Sequence, residues 1–206
     1  MTHAGNEVVV VDYGMGNLRS VARALERIGA RPRVTDSAVD VRAAQRVVLP
    51  GVGSALDAMS VLRRDGLADA ICEHIAAGRP YLGICLGLQV LLDEAEEGGS
   101  GKCLGVIPGR VERFPEASEL PVPHMGWNQV KPTREHPVIA EGGFFYFVHG
   151  YRPTAVPSEF WLARTDYGEG FASAIGRGSC VAVQFHPEKS QHAGLALLER
   201  FCAWKP

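Results

Sequence analysis

The 206-residue sequence predicts an α/β protein: a three-layer, open, mixed but mostly parallel sheet with helices on both faces. Three observations carry this. The first half alternates apolar, β-branched runs with segments of helical spacing, the order of a parallel sheet with crossover helices. The strand runs are apolar throughout instead of on every second residue, as for strands covered on both faces. From about Gly98 the texture changes to short strand-like runs separated by turns, which adds antiparallel or mixed strands to the same sheet.

The elements follow in chain order. "EVVVVDYG" is a buried strand. In "NLRSVARALERIG", Leu18, Val21, Ala22, Leu25 and Ile28 keep helical spacing, and Gly29 is the C-terminal stop. "RPRVTD" is a short second strand and "QRVVLP" a third, ending at Pro50-Gly51. "SALDAMSVLRRDGLADAICEHIAAG" reads as helix, broken near Asp65-Gly66 and ending at Gly78. "RPYLGI" is a fourth strand and "LGLQVLLDEAEE" a helix. The strand-like runs of the second half are "RVERF", "GWNQVKP", "FFYFVHGY", "FWLARTDY", "FASAIGRG" and "CVAVQFHP". "AGLALLERFCAW" closes the chain as a helix. No internal repeat or long linker interrupts this order, so residues 1–206 are expected to form a single domain.

Composition narrows the function classes. The chain is 46% hydrophobic and 21% charged, with a formal net charge of −2, which supports a packed core and points away from nucleic acid and acidic membrane surfaces. No apolar run reaches membrane-spanning length. "MTHAGNEVVVVDYG" has no basic leader region, so no signal peptide is expected. The five cysteines, Cys72, Cys85, Cys103, Cys180 and Cys202, are scattered and form no C-x-x-C pair. A metal site is therefore not expected and a reduced, cytoplasmic compartment is. Four of the five are expected to fill the core.

Cys85 is the exception. In open α/β sheets ligands gather at the carboxyl ends of strands, and Cys85 ends the strand "YLGI". Gly83-x-Cys85-x-Gly87 has the form of a nucleophile elbow. There a sharp strand-to-helix turn needs small flanking residues, and the helix dipole favours the thiolate. The Leu86 amide follows the nucleophile and points where an oxyanion would form. The five residues alone fit a core cysteine between packing glycines equally well.

A thiolate nucleophile needs a proton carrier and the carrier an orienting group. His186 ends the apolar run "CVAVQF", Pro187 keeps it out of helical geometry, and Glu188 lies two residues on. A third strand end, Pro50-Gly51-Val52-Gly53, opens a helix capped by Ser54. The Val52 amide there is placed to complete an oxyanion hole with that of Leu86.

"LPGVGS", "GICLGLQ" and "FHPEKS", in that order and spacing over nearly the whole chain, resemble the class I, triad-type glutamine amidotransferases. The resemblance implies Cys85 as nucleophile, His186 as general base and acid, Glu188 as orienting carboxylate, and Val52 and Leu86 as oxyanion hole. It places Gly53, Gln89, His149 and Tyr151 against the substrate, glutamine, and needs no cofactor. Within the class, "DYGMGNLRSV", "LPGVGSALDAM", "PHMGWNQV" and "FYFVHGY" look like the branch that serves histidine biosynthesis. There the ammonia is channelled to a (β/α)8 cyclase subunit of a heterodimer, which makes imidazole glycerol phosphate and aminoimidazole carboxamide ribotide. Trp127, Asn128, Tyr146 and Lys189 are then expected at the subunit interface. Many class members carry two adjacent glycines where Gly51-Val52 stands. A peptide flip requiring positive φ is costly at valine, so the hole is expected to be unformed at rest. The alternatives are a glutaminase subunit of another synthase, such as one making pyridoxal phosphate, a non-catalytic scaffold subunit, and a free-standing cysteine hydrolase.

Overall fold

The computed structural model describes residues 6–115 and 120–206. The first five residues, part of the stretch on which the expectation of no signal peptide rests, lie outside the described residues.

Strands β1 (Glu7–Val11), β2 (Arg31–Thr35), β3 (Val47–Gly51) and β4 (Tyr81–Cys85) are linked by α1 (Leu18–Arg27), α2 (Ala38–Ala43), α3 (Ala55–Arg64) and α4 (Leu67–Ala76). The four-residue α5 (Leu86–Gln89) leaves β4 directly. Short strands β5 (Glu94–Ala95), β6 (Gly101–Lys102) and β7 (Arg110–Arg113) follow. Then come β8 (His124–Pro132), β9 (Gly143–His149), β10 (Tyr151–Thr154), β11 (Trp161–Thr165), β12 (Phe171–Arg177), β13 (Cys180–Val183) and α6 (Gln191–Ala203).

Nine strands form one sheet in the order β2-β1-β3-β4-β13-β12-β11-β8-β9. β2, β1, β3, β4 and β13 are mutually parallel, and the remaining pairings are antiparallel. The open mixed sheet expected from the sequence is therefore present. Strand pleat divides the core between its faces. Val9, Val11, Val47 and Leu49 pack with Val41 of α2, Met59 and Leu62 of α3, and Leu67 and Ile71 of α4. Val8, Val10, Val48 and Leu82 pack on the other side with Val21 and Leu25 of α1 and Leu197, Leu198 and Phe201 of α6.

Three expectations need correction. A helix, α2, separates the second and third strands. It is six residues long, with Ser37 Oγ accepting from the Asp40 amide as its cap, too short to show a period. The helix expected over "LGLQVLLDEAEE" stops after one turn. Its continuation is blocked because the carbonyls of Val90, Leu91, Leu92 and Asp93 accept instead from the amides of residues 103–107. Finally, "RVERF" does not join the main sheet. β7 lies between β10 and β5 in a separate four-stranded sheet, β10-β7-β5-β6. The break at Asp65-Gly66 is as expected: Gly66 adopts φ +70° between α3 and α4. Ser54 caps α3 by accepting from the Asp57 amide.

Candidate active site

Cys85 has φ +55° and ψ −103°, a conformation that costs a non-glycine residue of order 1–3 kcal/mol and concentrates at functional sites. The flanking glycines permit it. A Cβ on Gly83 would sit 2.3 Å from the Gly87 carbonyl oxygen, and one on Gly87 would sit 1.9 Å from that of Leu49. The turn thus presses α5 onto β3 and β4 at the sheet's carboxyl edge.

β13 runs parallel to β4, with Ala182 beside Gly83 and Val183 beside Ile84, so the residues after Val183 arrive next to Cys85. His186 Nδ1 lies 2.9 Å from Glu188 Oε1, and both side chains are almost wholly buried. The backbone holds the pair. The His186 amide donates to the Tyr146 carbonyl at 2.9 Å, and Ser190 Oγ donates to the His186 carbonyl while accepting from the Tyr146 amide. His186 Nε2 and Glu188 Oε2 are buried without hydrogen-bond partners. With Nδ1–H committed to the carboxylate, Nε2 is the ring position left for proton exchange. Burial pushes the imidazolium down, but the nearby Cys85 thiol and Glu188 outweigh it and raise its pKa to about 9.

A cavity of about 260 Å³ opens over the thiol, lined by Val52, Gly53, Cys85, Gln89, His149 and Tyr151 among others. Gly53 takes φ +91°, whereas Val52 is absent from the positive-φ residues and is 42% exposed. The left-handed conformation thus falls on the glycine of this loop. The Tyr13 hydroxyl, buried without a partner, occupies the space a Cβ on Gly51 would need. Burial first, then Cys85, pushes its pKa up.

Two site residues escaped the sequence reading. Gln184 is fully buried and its Nε2 donates to Cys85 Sγ at 3.5 Å. Its signal, one amide inside the run "VAVQF", was present. Glu97 also lines the cavity, and no motif marks it. Burial first, then Asp57, raises its pKa against the lowering effect of the Ala55 amide. Gln89 Nε2 donates to the Tyr151 carbonyl at 3.2 Å and to Gln184 Oε1 at 3.3 Å.

The residues expected at an interface divide between two faces of the β8–β9 ladder. Trp127 is registered with Tyr146, and Met125 with Val148. Trp127 (49% exposed), Met125 (62%) and Phe144 (61%) form an open apolar face. Trp127 and Tyr146 meet edge to face at 6.1 Å, with Lys189 Nζ 5.7 Å over the Tyr146 ring. Asn128 turns to the opposite face, where its amide donates to His124 Nε2 and the Asp166 carbonyl. The other four thiols, Cys72, Cys103, Cys180 and Cys202, are all pushed up by burial first. Among the described residues no cluster of His, Cys, Asp and Glu is arranged to hold a metal ion.

Residues 9–203 match the family model described as glutamine amidotransferase class-I. The chain is 50% identical to a Nitrosococcus oceani protein named "Imidazole glycerol phosphate synthase subunit HisH", over 97% of this chain and 98% of that one. It is 49% identical to a Chloroflexus aurantiacus protein of the same name, over 96% and 95%. Among solved structures, "Structure of PurLQS from Thermotoga maritima" superposes with a TM-score of 0.76 at 18% identity, covering 97% of this chain and 98% of that one.

Proposed function

This chain belongs to the glutamine amidotransferase class-I family, and from that premise we propose that it is the glutaminase subunit of an imidazole glycerol phosphate synthase. The observation that carries the reading is the pairing of two strand ends. Cys85 sits strained at the end of β4, and the next parallel strand delivers the buried His186–Glu188 pair. The curated relatives carry the choice of synthase.

In this reading residues 1–206 act as one glutaminase domain. The Cys85 thiolate attacks the side-chain carboxamide carbon of glutamine, forming a C–S bond, and the oxyanion is held by the Val52 and Leu86 amides. His186 then gives a proton to the nitrogen as the C–N bond breaks, releasing ammonia and leaving a thioester. Water adds to the thioester with His186 as base, glutamate leaves, and the thiolate is restored. Glu188 fixes the ring tautomer and favours the imidazolium. Gly53, Gln89, His149 and Tyr151 bound the glutamine pocket, and Glu97, the one carboxylate among its described lining, faces the substrate's ammonium group.

The partner is a (β/α)8 cyclase that receives the ammonia. The apolar face of Met125, Trp127, Phe144 and Tyr146, with Lys189, adjoins the cavity through Val148 and suits a protein surface. A covering partner also keeps ammonia from bulk water. Val52 rests outside the left-handed region, in keeping with an oxyanion hole completed only when the partner's ligand shifts the loop. No described helix is long and apolar enough to cross a membrane, and five unpaired cysteines favour the cytoplasm.

The test is glutamine hydrolysis by this chain alone, with the cyclase, and with the cyclase plus its nucleotide ligand. The reading expects activity to rise at each step and to vanish with Cys85→Ser. Equal activity of the isolated chain and the liganded complex would remove the resting-state claim. No activity in the liganded complex would remove the function.

A further inference from the structure

A polar network outside the Cys85–His186–Glu188 set runs from the β8–β9 ladder to the sulfur, and the Tyr151 carbonyl fixes the direction of every bond in it. That carbonyl can only accept. On one side it accepts from His149 Nδ1 at 2.8 Å, so in the neutral ring Nε2 must accept. The group facing it at 3.0 Å is His124 Nδ1, which therefore carries a proton. His124 Nε2 must in turn accept, and Asn128 Nδ2 donates to it at 3.1 Å. The Asn128 amide cannot be reversed, because its Oδ1 already accepts from the Gln129 amide at 2.7 Å. On the other side the Tyr151 carbonyl accepts from Gln89 Nε2, which also donates to Gln184 Oε1. That leaves Gln184 Nε2 to face Cys85 Sγ. The result at the reacting atom is an N–H donor, the polarity a thiolate needs.

The two rings are held as firmly as the hydrogen bonds require. His124 is stacked between Tyr167, at 3.9 Å between ring centres, and Phe147, at 4.6 Å, each inclined by 25°. Phe114 and Phe171 enclose His149. β8 and β9 set the two histidines directly opposite each other. An extra proton on His149 Nε2 would place two donors face to face at the centre of the chain, and one on His124 Nε2 would do so against the Asn128 amide. His149, Gly150, Tyr151 and Gln89 line the cavity, so the chain ends on its wall.

We propose that His124 is a positioning residue of the glutamine pocket: with His149 it holds the Tyr151 carbonyl, and through it Gln89, in place on the cavity wall. The inference rests on the reading that this cavity takes glutamine. It links Asn128, on the inner face behind Trp127, to the pocket wall.

The test uses the complex with the cyclase and its ligand. His124→Phe keeps the stacking and removes only the hydrogen bonds. It is expected to raise KM for glutamine about tenfold, the effect of losing the buried bond to His149, while kcat stays within about twofold. Asn128→Ala is expected to move KM the same way by less. In the wild-type protein, nitrogen-15 NMR at pH 7 is expected to find both rings protonated at Nδ1 and not at Nε2. A folded His124→Phe protein with unchanged KM would overturn the proposal, as would a fall in kcat at constant KM, or a proton on Nε2 of either ring. Where His124→Phe does not fold, Asn128→Ala and the ring-proton assignment decide. A wild-type complex without glutaminase activity would overturn the function of the pocket, and the NMR assignment would still decide the relay.

Discussion

Two buried histidines approach the Cys85 site from different strands, and their environments drive them in opposite directions. His186 is 2% exposed and His149 6%, so desolvation lowers the pKa of both. His186 has Cys85 beside it and the Glu188 carboxylate at 2.9 Å, and it ends at about 9. His149 has a neutral carbonyl at 2.8 Å and a second histidine at 3.0 Å, and it falls to about 3. Burial sets the stake, and the partner decides the charge. One ring is thereby equipped to hold and pass a proton. The other is kept neutral, so its donor and acceptor atoms stay fixed. A proton carrier and a fixed strut are thus made from one residue type around one site.

The largest test of this contrast removes the atom that His186 serves. Cys85→Ser is expected to lower glutamine turnover in the complex by about a thousandfold or more, measured as glutamate release. Glu188→Gln removes one of the two groups that set His186 apart from His149, the other being Cys85, and keeps the shape. kcat is expected to drop about a hundredfold, the low end of what a positioned acid–base group contributes, and the His186 titration followed by NMR should move down from about 9 towards the usual histidine range. An unchanged titration would show that burial and Cys85 alone set His186.

Stability should bend with pH on both sides of neutrality. His186 binds its proton more tightly folded than unfolded. Its contribution is therefore complete below pH 6.5 and is lost as pH rises through about 9. For His124 and His149, with folded values of about 4 and 3, the unfolded chain takes the proton first. Their contribution is complete above pH 6.5 and is lost on acidification through those values. Urea unfolding across pH 4 to 9.5 should show both losses. Glu188→Gln should flatten the alkaline limb and leave the acid limb alone. The smallest expected effect lies at the loop: Val52→Gly should raise the partner-free glutaminase rate by roughly three- to tenfold by easing the positive-φ conformation, read in the isolated chain.

Much of this was legible in the sequence because strand ends are written locally. Gly83, Cys85 and Gly87 declare a turn that tolerates no side chain at its flanks, and His186-Pro187-Glu188 carries base and carboxylate in three residues. The strut was not legible. His149 was placed at the substrate by resemblance alone and His124 read as an ordinary strand residue; only the β8–β9 register sets them opposite each other. Gln184 was hidden for a related reason: an amide in an apolar run has meaning only once the neighbouring strand is known to end in Cys85. The early stop of α5 is also tertiary. "LGLQVLL" has the composition of a buried helix, and distant amides took the carbonyls a longer helix would have used.

The most direct measurement is covalent labelling of the liganded complex by a glutamine-like electrophile, read by mass spectrometry of the intact and digested chain. The account predicts one adduct per chain, on Cys85, prevented by excess glutamine, with Cys72, Cys103, Cys180 and Cys202 unmodified. Labelling spread over the other thiols, or a Cys85 that stays unmodified while the complex hydrolyses glutamine, would contradict it.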